Sequence, residues 1–189
     1  MKKKILQTTI GILILLFGLC SCNQKKARLE MIQEKTNRYL AEFQKELLGT
    51  LQTSIQKSGT SGAIEVCKDA SPKMEENFSK LDKAKFRRVS LKNRNPDHFP
   101  NDWEKKAIEN WEKQISEKQT VNIFLEETDT EVRFLKPIFI INETCLKCHG
   151  DKEIDSQTKE KIAKLYPLDK ATGYKMGDLR GAFSVIWKK

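Results

Sequence analysis

Between residues 24 and 57 the apolar positions Leu29, Ile32, Leu40, Phe43, Leu47, Leu51 and Ile55 recur mainly at spacings of three and four, with no proline. That period predicts a long amphipathic helix. Ser58-Gly59-Thr60-Ser61-Gly62 breaks it, and Ala63–Ala70 starts a short second helix that ends near Pro72. Ala63, Val66, Cys67 and Ala70 share one face of that helix, so Cys67 is expected to point inward. Alternation from Phe86 to Lys92 predicts a strand, and Asn93–Pro100 reads as a loop fixed by two prolines. Asn101 and Glu104 have the spacing of a capping box, opening a helix with Trp103, Ala107, Trp111 and Ile115 on one face.

Val121–Glu126 and Glu131–Ile141 read as two strands joined at Thr128-Asp129-Thr130, with Pro137 marking an edge or a bulge. A short helix closed by Gly150, an amphipathic helix over 156–166 and a strand over 179–187 complete the chain. This alternation predicts an α+β fold, an antiparallel sheet flanked by helices with a long N-terminal helix. An all-helical bundle does not fit it.

The N-terminus changes the picture of where the chain works. Lys2, Lys3 and Lys4 precede an apolar stretch over Ile10–Leu19, too short to span a bilayer comfortably. Leu19-Cys20-Ser21-Cys22 then resembles the end of a bacterial lipoprotein signal, with Leu19 and Ser21 placed for lipidation of Cys22; Cys20 is unusual there. The expected organisation is a signal peptide over 1–21, an anchor and long helix over 22–58, and one domain over 59–189. The expected location is the bacterial cell envelope, as an exported, periplasm-facing lipoprotein held to a membrane by lipid. Asn23 lacks the acidic character that retains many lipoproteins on the inner membrane, which favours the outer one.

Cleavage before Cys22 removes three lysines and lowers the net charge of +9 by three. The remaining positive charge on a chain that is 32% charged fits acidic redox partners, and no nucleic-acid motif is present. The apolar stripe of the long helix is expected to pack on the core or on a second copy, which admits a homodimer through this helix.

Cys145-Leu146-Lys147-Cys148-His149 carries the chemistry. Two thiols separated by two residues and followed by histidine suit covalent attachment of one haem c, with thioethers from Cys145 and Cys148 and the His149 imidazole on the iron. Half a zinc site, a redox dithiol or a disulfide are the rival readings, and the chain is poor in zinc donors because His98 and His149 are its only histidines. Of the five cysteines, Cys67 is then left unpaired in an oxidising compartment, where an inward-facing thiol is either a small hydrophobe or bound to something.

Several stretches taken together resemble one family, the PAS-like c-type haem domains of bacterial periplasmic sensors and related small cytochromes, long catalogued as a domain of unknown function. They are Gly62–Cys67, Val89–Pro96, Asp102-Trp103-Glu104, Cys145–Gly150, Leu165-Tyr166-Pro167, and Ala171–Tyr174 with Gly177–Gly181. The resemblance implies a PAS-like sheet and an iron held by His149 on one side and Cys67 on the other. Met176 and His98 are the rival ligands; Met176 is expected to pack and His98 to be solvated. Arg94, Arg180 and Lys92 are candidates to neutralise the haem propionates. The expected function is single-electron transfer or redox sensing without bond-making catalysis. A haem-based sensor of nitric oxide or carbon monoxide is the alternative, followed by a haem peroxidase.

Overall fold

The computed structural model describes residues 2–81 and 84–189, with side chains from residue 24 onward except residue 81. The side chain of Cys22 and those of the expected signal segment 1–21 lie outside the described residues. Two units divide the chain, Met1–Arg38 and Tyr39–Lys189. The described part of the first is helical and belongs to α1 (Lys2–Glu65). Among the described residues no helix is long and apolar enough to cross a membrane.

In the second unit, helices flank one four-stranded antiparallel sheet of order β1-β4-β3-β2. The strands are β1 (Ala84–Val89), β2 (Phe124–Glu127), β3 (Glu131–Phe139) and β4 (Leu179–Lys188). The α+β expectation therefore holds. Consecutive strand residues face opposite sides, and the core divides accordingly. Phe134, Phe183 and Val185 meet Leu40, Phe43 and Leu47 of α1 on one side. Leu135 and Ala182 meet Ala107, Ile108 and Trp111 of α3 (Asp102–Ser116) on the other. Phe43 lies edge-on to Phe86, ring centroids 4.7 Å apart, and to Phe183 at 5.9 Å, geometries that aromatic quadrupoles favour.

The helical segments depart from the sequence expectation at two points. Gly59 alone interrupts α1 (φ 68°, ψ −177°), and helix resumes at once rather than giving way to a five-residue break. Pro72 does not end the next helix. The chain widens into a π-helix over Val66–Ala70, with the Ser71 N–H bonded to the Val66 carbonyl, and Pro72 sits in the first turn of α2 (Ser71–Leu81). A proline fits there because its missing N–H is least needed in a first turn.

The Asn101–Glu104 capping box is present on α3, but Ile115 is 39% exposed and Ile108 takes the expected core position. Pro137 pairs with Ala182 beyond the end of β2, where its second edge needs no N–H, and a register shift follows at Ile138/Phe139. Strand β1 ends at Val89 because Ser90 turns away, its N–H bonding the His98 carbonyl at 3.0 Å and its hydroxyl the Arg180 carbonyl at 2.8 Å.

Candidate functional site

A seven-residue helix, α4 (Glu143–His149), carries the Cys-x-x-Cys-His motif. Asn142 Oδ1 accepts from the Cys145 N–H at 3.3 Å, and the Gly150 N–H closes the other end on the Leu146 carbonyl at 2.8 Å. Both caps supply partners for terminal groups that so short a helix cannot satisfy internally. Cys145 and Cys148, three apart, fall on adjoining sides of one turn. Leu146 is buried with Ile140, Ala171 and Tyr174, with Cys145 beside them. Cys148 packs against Ile64, Ile154, Ile162 and Tyr166, the latter two from α5 (Ser156–Leu165) and the residue after it.

His149 is oriented by backbone. Its Nδ1 lies 2.8 Å from the Ala171 carbonyl, and Tyr174, whose N–H bonds the His149 carbonyl at 3.0 Å, sets its ring edge-on at 6.3 Å. Gly173 N–H reaches the Gly150 carbonyl at 2.7 Å. A carbonyl can only accept, so Nδ1 carries the proton and Nε2 keeps its lone pair. Burial, with help from the nearby Arg180 and Arg94 charges, pushes the imidazole pKa well below its ordinary value. The ring is therefore neutral, the form that ligates metal.

Cys67 sits in the π-helix, half-buried, and Cys67, Cys145 and Cys148 are all free thiols. Burial pushes the Cys148 thiol up to about 11, with the neighbouring Cys67 adding to the effect. Burial and Cys67 likewise push Tyr166 up to about 12. The fold thus brings Cys67 to Cys148 and Tyr166 across 81 residues of sequence in the first case and 99 in the second. Among the described residues no three or more His, Cys, Asp and Glu side chains are grouped to hold a metal ion, whereas a closed zinc site uses four such donors.

The three basic candidates stand in different surroundings. Arg94 is 6% exposed and forks onto Asp169 at 3.1 and 3.2 Å; its Nη2 also donates to the Cys148 carbonyl at 2.7 Å. Its Nη1 is buried without a partner. Arg180 donates from Nη1 to the Lys92 carbonyl at 3.3 Å, and its Nε is likewise buried and unpartnered. Lys92 Nζ bonds the Thr172 carbonyl at 2.7 Å and lies 4.3 Å from the Tyr174 ring centroid.

Two expectations about the rival ligands are corrected. His98 is not solvated: its Nε2 lies 3.2 Å from Glu75 Oε2, in a group where Arg88 Nε also reaches Glu75 at 2.7 Å. That pairing occurs because the Pro96–His98 turn folds over α2. Met176 does not pack; it is 50% exposed on the loop before β4. Sequence reasoning missed Asp169, the Ala171 carbonyl, Tyr166 and the Glu75–Arg88 pair. Tyr166 enters the sequence reading only within Leu165-Tyr166-Pro167, one of the stretches that carry the family resemblance, with no role assigned.

An α+β domain that presents Cys-x-x-Cys-His on a capped helical turn, with a distant cysteine beside it, defines the class to which the comparisons also lead. Residues 22–187 match the Tll0287-like (Tll0287) family, and the chain belongs to that family. Among solved structures it is similar to the crystal structure of the cyanobacterial haem protein Tll0287. The two share 23% sequence identity over 82% of this chain and 93% of that one, with a TM-score of 0.64, a likeness of fold. No curated protein matches the chain.

Proposed function

We propose that this chain is an extracytoplasmic c-type haem protein that exchanges single electrons or reports redox state, anchored by lipid on Cys22. Cys145 and Cys148 would hold the haem covalently, and His149 Nε2 and Cys67 would supply ligands to its iron. The observation that carries the reading is the 2.8 Å contact of His149 Nδ1 with the Ala171 carbonyl, which leaves the lone pair on Nε2. The residues present fit the group in a second respect. Arg94 Nη1 is buried with no acceptor, and a propionate supplies one.

Haem bound there supplies a one-electron iron couple. The chain's own residues set its properties. A thiolate from Cys67 donates charge and favours the ferric state, lowering the potential relative to a methionine ligand. The hydrogen bond from His149 to a carbonyl acts in the same direction by raising imidazole basicity. With His149 and Cys67 both bound, the iron would offer no open position to a substrate, which supports a reading without bond-making catalysis. Membership of the family whose relative is titled a haem protein supports the cofactor.

The test is the ferric absorption spectrum, extended into the near infrared, of the chain made in a periplasm with haem-attachment machinery. Covalent haem with thiolate charge-transfer bands that vanish in Cys67→Ala is expected. A histidine/methionine spectrum rejects Cys67 as ligand, and a haem-free product rejects the reading. Mass spectrometry of the mature N-terminus checks acylation of Cys22.

One observation favours a second reading, a sensor of nitric oxide or carbon monoxide. Cys67 lies on a π-helix, a widened turn that is enriched at functional sites. A gas that took the place of Cys67 on the iron would release that segment from it. A carbon monoxide titration of the ferrous protein without spectral change removes this reading.

A further inference from the structure

On the α3 side of the sheet, separate from the Cys67 and Cys148 cluster, a cleft of about 280 Å³ is lined by Leu91, Lys92, Ile108, Ile115 and Arg180, among others. Leu91, Ile108, Ile115 and Leu179 supply its apolar walls, Ser90, Glu112 and Asp178 add polar groups, and one end is basic. There the Arg180 guanidinium lies 5.4 Å from the Tyr174 ring centroid, with Lys92 Nζ over the same ring. Arg180 Nε is shut from solvent and has no acceptor, and among the described residues no carboxylate forms an ion pair with this arginine. Burying a cationic donor without an anion is costly, and native folds pair such groups. Arg94 differs in having a carboxylate partner, Asp169, although its own Nη1 is also left without an acceptor.

We propose that this cleft binds the carboxylate group of a small organic acid, with the acid's carboxylate on the Arg180 guanidinium and its apolar body against Leu91, Ile108 and Ile115. Two acidic side chains, Asp178 and Glu112, also line the cleft. Asp178 accepts from the Lys175 N–H at 2.7 Å. Glu112 stands on α3 between Ile108 and Ile115, and burial first and then Glu109 raise its pKa. Tyr174 joins the cleft to the motif, because the ring that receives Arg180 and Lys92 also meets the His149 ring edge-on. An effect of the bound acid on the haem rests on the haem reading above; the binding itself does not.

A carboxylate on Arg180 has two sources, a free acid or a haem propionate, and calorimetry separates them. The haem-loaded full chain is titrated with sodium acetate, butyrate and benzoate. Saturable binding of at least one acid is expected, weakened by about ten-fold or more in Arg180→Gln. The same loss is expected in Ile115→Trp, which fills the mouth of the cleft from a position 39% exposed, where the fold tolerates a larger side chain. Wild-type protein that binds none of the three acids overturns the proposal, and a shifted haem potential in Arg180→Gln then assigns the arginine to a propionate. Undiminished binding by Ile115→Trp overturns it as well. The haem content of each sample is read from its spectrum, so failure of the haem reading is seen independently of the binding result.

Discussion

Arg94 Nη2 donates to the carbonyl of Cys148 at 2.7 Å, tying the loop after β1 to the helix that carries the motif 54 residues later. The same guanidinium forks onto Asp169, and both side chains are nearly closed to solvent, at 6% and 8% exposure. Arg94 therefore holds α4 and the segment after α5 in one register. Arg94→Ala leaves the Asp169 carboxylate buried and unpaired, and a loss of about 3–5 kcal/mol is expected from breaking a buried pair. Arg94→Lys restores little of it, because an ammonium cannot span the carboxylate and the carbonyl as a planar fork does. Urea unfolding of both variants checks this, and a loss below about 1 kcal/mol in Arg94→Ala, the range of a surface pair, contradicts it.

Glu104 is fully buried and serves several donors at once. Arg87 pairs with it through Nη2 and through Nε at 3.3 Å, Ser184 Oγ donates at 2.6 Å, and the Asn101 N–H completes the capping box at 2.9 Å. Glu104→Ala strands these donors and is expected to cost about 3–5 kcal/mol. Glu104→Gln costs less, because the amide keeps one acceptor oxygen. Thermal melts of the two variants, compared with wild type, should fall in that order.

Gly181 has φ 152°, and a Cβ there would overlap the Val89 carbonyl oxygen and approach Ser90 Cβ to 3.0 Å. Strand β4 passes so close to the end of β1 that no side chain fits. Gly181→Ala forces a backbone shift beside Ser90, whose hydroxyl bonds the Arg180 carbonyl. A loss of about 1–3 kcal/mol is expected, as for overpacking elsewhere. An unchanged urea midpoint would contradict it.

The local parts of this protein were legible before the fold was seen. Cys145–His149 announce themselves because the motif is complete within five consecutive residues, and Asn101 and Glu104 are legible because a capping box is equally local. Cys67 was reached through family resemblance, and periodicity supplied only its inward direction. What orients His149 was not legible, because a backbone carbonyl such as that of Ala171 carries no residue type to recognise. Arg94 was noticed, but as a propionate partner; Asp169, 75 residues away, has nothing in its surroundings to mark it as the mate. Pro72 was misread because a proline signals a helix end and a helix first turn equally well, and the π-helix before it has no sequence signature.

Asp155 offers a pH test of the segment leading to Cys67. Its carboxylate is the N-cap of α5, accepting from the Thr158 N–H and hydroxyl, both at 2.8 Å, and it also receives the Thr60 hydroxyl at 2.6 Å from the residue after the Gly59 kink. The Thr60 bond first, and then those from Thr158, hold its pKa down at about 2 against an ordinary 3.8. A depressed carboxylate pKa stabilises the fold above the unfolded value and loses that contribution as pH falls through the folded one. The window is therefore from 3.8 down to about 2. The side chain is exposed, so solvent screening keeps the effect within the about 0.5–2 kcal/mol of an N-cap. Asp155→Asn keeps a competent cap but has no charge to titrate. Its stability should change less than that of wild type across this window, while near neutral pH the two remain close. Asp155→Ala loses the cap at every pH. Urea midpoints of the three proteins at about pH 5 and about pH 2.5 decide it. If Asp155→Asn follows wild type through the window, another carboxylate governs the acid limb and the Thr60 bond does not hold this segment.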